Sequence, residues 1–107
     1  MRGVSLRFYF CDEQNKPGPL LYEWLLQHAR SIGIPGASAF RAVAGFGRHG
    51  QKRESHFGEL PGSQPVLVEF LLTEEDAENL LESLANEPVA ISYARAVVEL
   101  GLVGART

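Results

Sequence analysis

"PVLVEFLLTEEDAENLLESLANEPVAISYARAVVEL", Pro65 to Leu100, reads as a strand, a helix and a second strand without interruption. Val66, Val68, Phe70 and Leu72 alternate with Leu67, Glu69 and Leu71, the period-two pattern of a strand. The alternation stops at Thr73. Asp76 stands three residues on, a capping-box arrangement that opens a helix, and Glu74, Glu75 and Asp76 suit the positive end of the helix dipole. Ala77, Leu80, Leu81 and Leu84 then recur at helical spacing, and Pro88 ends the helix. "VAISYARAVVEL" supplies the strand that follows.

The first half repeats the pattern. Val4, Leu6, Phe8 and Phe10 alternate with Ser5, Arg7 and Tyr9, which makes a strand with one strongly apolar face. "DEQNKPGP" breaks it, and Pro19 suits the first turn of a helix. The apolar stripe of that helix is Leu21, Trp24, Leu25, His28, Ala29 and Ile32, with Gly33 and Pro35 as stop signals. A second strand is expected from about Ala37 to Gly45, with Phe40, Ala42, Ala44 and Phe46 on one face and Arg41 and Val43 on the other. The order is βαββαβ, an α+β ferredoxin-like plait with both helices on one face of a four-stranded antiparallel sheet. The length fits one domain over residues 1–107, with 101–107 as a tail.

Helices cover one face only. The other would carry Tyr9, Val43, Leu67 and Leu71 beside Arg7, Arg41 and Glu69, joined by either Tyr93 and Val97 or Val98 and Leu100. At about 25 cal/mol per Å² of apolar area, leaving several of these in water forgoes several kcal/mol. Self-association through that face is therefore expected.

A composition of 45% hydrophobic and 21% charged residues argues against disorder. No apolar run approaches 18 residues, "MRGVSLRFYFC" lacks a signal-peptide profile, and the single Cys11 suggests a reducing compartment. Together these predict a cytoplasmic protein, with Cys11 semi-buried after the first strand. The net charge of −3 is uneven. Arg41, Arg48, Lys52 and Arg53 fall in an acid-free stretch, residues 41–53, whereas six acids and no base fall in residues 73–87. A globally acidic chain is a poor nucleic-acid binder. A local basic stretch on an acidic body suggests a small anionic ligand or an acidic partner, or merely a solvated loop.

"GFGRHGQKRESHFGE", Gly45 to Glu59, carries Gly45, Gly47 and Gly50 in G-x-G-x-x-G spacing. It does not open a helix, so a Rossmann site is not expected. The glycines permit positive φ and a nest of amides facing an anion. Arg41 admits two readings. It forms an ion pair with Glu69 on the neighbouring strand, or it offers a guanidinium fork to a phosphate or carboxylate, helped by Arg48, Lys52 or Arg53. His49 and His56, with Glu54 and Glu59 nearby, are candidate zinc or copper ligands if subunits pool them. His28, on an apolar stripe, reads as a hydrogen-bonded core or interface histidine. No serine or cysteine stands in a nucleophile elbow and no carboxylate pair has an apolar setting, so catalysis is not expected.

The segment "GPLLYEWLLQHARSIGIPGASAFRAVAGFGRHG", followed by "PVLVEF", resembles the domain of unknown function 190 family, grouped with the PII-like signalling proteins. The most specific pieces are Gly36-Ala37-Ser38-Ala39-Phe40-Arg41, Gly45-Phe46-Gly47, Pro65-Val66 and Glu69. The resemblance implies a homotrimer whose loop 46–63 corresponds to the PII T-loop. It further implies inter-subunit clefts at the base of that loop, holding an adenine nucleotide or another small anion. On this basis Arg41, Gly45, Gly47, Arg48, His49, Gly50, Lys52 and Arg53 would form the ligand-binding wall. The loop would then touch a partner, a membrane transporter among the candidates. Ala42 stands where the family usually has glycine, and "LANEPVA" lacks the glycine and lysine of the PII phosphate-binding turn. A nucleotide would then be held mainly by the loop base and the neighbouring subunit. A metal-binding trimer resembling the copper-tolerance plaits and a ligand-free interaction module are the alternatives.

Overall fold

A computed structural model describes residues 1–11, 20–46 and 65–104. The order is β1 (Arg2–Phe10), α1 (Leu21–Ser31), β2 (Ser38–Arg41), β3 (Val66–Leu72), α2 (Glu74–Ala85) and β4 (Ser92–Glu99). The strands form one sheet in the order β2-β3-β1-β4, every pair antiparallel. This is the expected α+β ferredoxin-like plait.

The two alternating strands lie side by side at its centre. Register pairs Val4, Leu6, Phe8 and Phe10 with Leu72, Phe70, Val68 and Val66. All eight are buried, together with Leu25, Ala29 and Ile34 on the α1 side and Ala77, Leu80 and Leu84 of α2. Phe8 and Phe70 meet edge to face, with centroids 5.7 Å apart. Burying each large apolar side chain contributes roughly 1.5–3 kcal/mol.

Each helix is closed by local chemistry. Thr73 Oγ1 accepts a hydrogen bond from the Asp76 N–H at 3.1 Å and caps α2. At the end of α1, Gly33 adopts φ +91°. Its N–H donates to the Arg30 carbonyl, and the Ile34 N–H donates to the Ala29 carbonyl. That is a Schellman motif, and Ile34 is the apolar residue it turns into the core. Ile32, placed on the buried stripe by periodicity, is instead 41% exposed, because the chain is already turning there. His28 stacks on Trp24, 4.9 Å between centroids, and shares a hydrogen bond between its Nε2 and Ser83 Oγ. This ties α1 to α2, as its place on an apolar stripe suggests.

β2 is shorter than expected. Only Ser38–Arg41 pairs with β3, and the ladder closes with the Ala42 N–H donating to the Pro65 carbonyl at 2.9 Å. Val43 lies beyond the strand and is fully exposed. Cys11 is exposed rather than semi-buried, since it sits past the last ladder pair of β1. Beyond β4, residues 101–104 are irregular and exposed. Among the described residues no helix is long and apolar enough to cross a membrane.

Candidate functional site

The sheet has two poles. At one, β1 and β2 end and β3 and β4 begin, because Phe10 and Arg41 both face Val66 and Tyr9 faces Ser92. The connection between β2 and β3 leaves from this pole. Arg41 and Pro65 are therefore its two roots, held together by the Ala42–Pro65 hydrogen bond.

Register decides where Arg41 lies. It is opposite Val66, whose side chain is buried on the helix-covered side, so Arg41 shares that side. This corrects the expectation that it stands on the open face. The predicted partner is also wrong. Glu69 lies opposite Ser38, with Arg7 on its other flank, and its Oε2 accepts from Arg7 Nε at 3.1 Å. Arg41 is exposed and has no ion-pair or hydrogen-bond partner among the described residues. All four residues of β2 are exposed, so no core contact selects its face. Among the described residues the guanidinium at the loop root is thus committed to no structural pair.

The apolar surroundings of this pole are open as well. Phe46 is almost fully exposed beside the root, while Phe40 and Tyr9 are partly exposed on the opposite side of the sheet. Gly45 has φ outside the left-handed region, and a Cβ there would meet nothing within 4 Å. Its own backbone therefore does not require glycine, while the nest expected from the spacing also involves Gly47 and Gly50. Gly47, Arg48, His49, Gly50, Lys52, Arg53 and His56 lie outside the described residues. Among the described residues no group of three His, Cys, Asp or Glu side chains is placed to hold a metal.

The turn joining α2 to β4 reaches the same pole from the far edge of the sheet. Asn86 caps α2, and the Val89 N–H donates back to the Glu87 carbonyl. This turn offers a carboxylate and no cation. β2 and β4 are the two edges, separated by three strand spacings, about 14 Å. One chain alone therefore does not close a small-anion pocket around Arg41 with β4. Sequence reasoning missed the Arg7–Glu69 pair, because residues 62 apart meet only through the β1–β3 register.

The model of the DUF190 family, described as "Uncharacterized ACR", matches residues 3–92. A UPF0166 protein of Aquifex aeolicus (strain VF5) is 34% identical over 79 residues, 74% of this chain and 75% of that protein. A protein of Thermus thermophilus, described as PII-like and signalling, superposes with a TM-score of 0.61 at 19% identity, covering 92% of this chain and 88% of its own. CPII of Thiomonas intermedia K12, a nitrogen regulatory PII-like protein bound to ADP, AMP and bicarbonate, superposes with a TM-score of 0.60 at 15% identity, covering 96% and 97%. At these identities the two structures establish a shared fold.

Proposed function

This chain belongs to the DUF190 family, and from that premise we propose that it is a PII-like regulatory protein that binds a small anionic effector and performs no catalysis. The effector class is an adenine nucleotide. The binding unit is a homotrimer of single-domain subunits, in which Arg41 of one copy faces a neighbouring copy across a cleft. Arg48, Lys52 and Arg53 of the following segment add positive charge. Occupancy orders the segment 46–63, which then engages a protein partner such as a membrane transporter.

The observation that carries this reading is Arg41: an exposed guanidinium at the root of the β2–β3 connection, with no carboxylate partner among the described residues. Such a group binds phosphate with a bidentate fork. CPII, which shares the fold, holds ADP and AMP. Two further features favour a cleft between copies. The edges bearing Arg41 and the α2–β4 turn are too far apart within one chain, and the uncovered sheet face leaves Leu71 54% and Phe40 49% exposed.

Calorimetric titration with AMP, ADP, ATP and cyclic nucleotides tests the proposal, beside Arg41→Ala. Binding of one of them, weakened about tenfold or more by the substitution, is expected, since one charge-assisted contact contributes on the order of 1.5–3 kcal/mol. No heat with any of these ligands removes the nucleotide reading.

A further inference from the structure

The pole that carries Arg41 also has a negative side. α2 ends there, and its last turn holds the exposed Glu82 and no basic residue. The C-terminal end of a helix carries a partial negative charge, and no cation of that turn offsets it. Glu87 follows, in the turn to β4. Its backbone is fixed: the N–H donates to the Leu84 carbonyl at 3.0 Å, and the carbonyl accepts from the Val89 N–H at 2.8 Å. Glu87 is half-buried, and its carboxylate has no ion-pair or hydrogen-bond partner among the described residues. The one cation of β4, Arg95, is taken by Glu78 at 2.8 Å.

Arg41 and this turn lie on the same side of the sheet. Arg41 shares the helix-covered side with Val66, and the turn continues from the end of α2. Within one chain they stand at opposite edges, about 14 Å apart. A rotation axis running along the strands keeps both groups at one pole. In the proposed trimer it turns the β4 edge of one copy toward the β2 edge of the next. The cleft between them then has a cationic wall and an anionic wall.

The two walls ask for different chemistry. The guanidinium fork of Arg41 suits one phosphate. A carboxylate is an acceptor only, so Glu87 suits hydroxyl and amine donors. Each phosphate beyond the first brings charge that the fork is already spent on and that Glu87 and the end of α2 repel. We infer that Glu87 decides which nucleotide the cleft takes: it selects a nucleoside monophosphate and disfavours the di- and triphosphates. The single phosphate lies on Arg41, and the ribose hydroxyls and the base face Glu87. This rests on the nucleotide reading of the proposed function and narrows it to one member of the class.

Metal-free calorimetric titrations of the full-length chain test the assignment. They compare AMP, ADP and ATP in wild type, Glu87→Gln and Glu87→Lys, with circular dichroism checking each fold. In wild type, affinity is expected to fall with each added phosphate, leaving AMP about tenfold or more tighter than ATP. Glu87→Gln is expected to narrow that ratio by about threefold or more, because the repelling charge is gone. Glu87→Lys is expected to bring ATP level with AMP or above it. If wild type binds ATP as tightly as AMP, or if neither variant moves the ratio, Glu87 is not the selector, while the nucleotide reading stands. No heat with any nucleotide overturns both. If Glu87→Lys fails to fold, the ratio in Glu87→Gln decides alone, and an unchanged ratio there overturns the inference.

Discussion

Arg41 and Gly3 illustrate what single residues contribute here. Arg41 touches no described partner, so Arg41→Ala should change unfolding free energy by no more than about 0.5 kcal/mol in urea titration. A larger loss would mean that the guanidinium is committed to the fold and is not held open for a ligand. Gly3 is the opposite case. A Cβ built there lies 2.5 Å from Leu100 Cδ1 and 2.8 Å from the Leu72 carbonyl oxygen. The leucine side chain can rotate away, but the carbonyl belongs to β3 and moves only with the strand. Gly3→Ala is therefore expected to cost about 1–3 kcal/mol in the same titration, as overpacking does. Nothing in "MRGVSLRF" announces this, because the crowding comes from two segments distant in the chain. His28 was legible in part. Its stripe position pointed to a buried hydrogen bond, but only packing supplied Ser83 as the partner.

At the level of elements, the helices close with signals that can be read directly. Thr73→Ala should cost about 1 kcal/mol, because the Asp76 N–H at the start of α2 loses its acceptor. Gly33→Ala should cost about 1–2 kcal/mol, since alanine must enter the left-handed region at φ +91°. Chemical denaturation monitored by far-ultraviolet circular dichroism checks both, and an unchanged midpoint for Gly33→Ala would show that the Schellman turn had rearranged. β1 and β3 are legible because the apolar residues alternate along both, and a one-residue slip would expose the whole core set. β2 is not. Its aromatic residue suggested that Phe40 faces the helices, yet Phe40 pairs with Leu67 on the open side. An edge strand with all four residues exposed gains little from either face, so its hydrophobic pattern carries little information.

For the whole molecule, the decisive feature is a sheet covered on one side only. Leu71 lies at the uncovered centre, opposite Ser5. If the chain self-associates as proposed, Leu71→Glu should leave a particle of 11.8 kDa in light scattering, with secondary structure retained. An assembly unaffected by that charge would place the contact elsewhere. The sequence alone was enough for the βαββαβ order, the helix stripes and most of the core, because burial imposes a period of two on strands and 3.6 on helices. It was not enough for the side on which Arg41 stands, the partner of Glu69 or the gap of about 14 Å between the edges. Those depend on register and strand order, which are set by pairing between segments far apart in the chain. A local pattern can say that alternate residues face opposite ways, but only the neighbouring strand says which way each one faces.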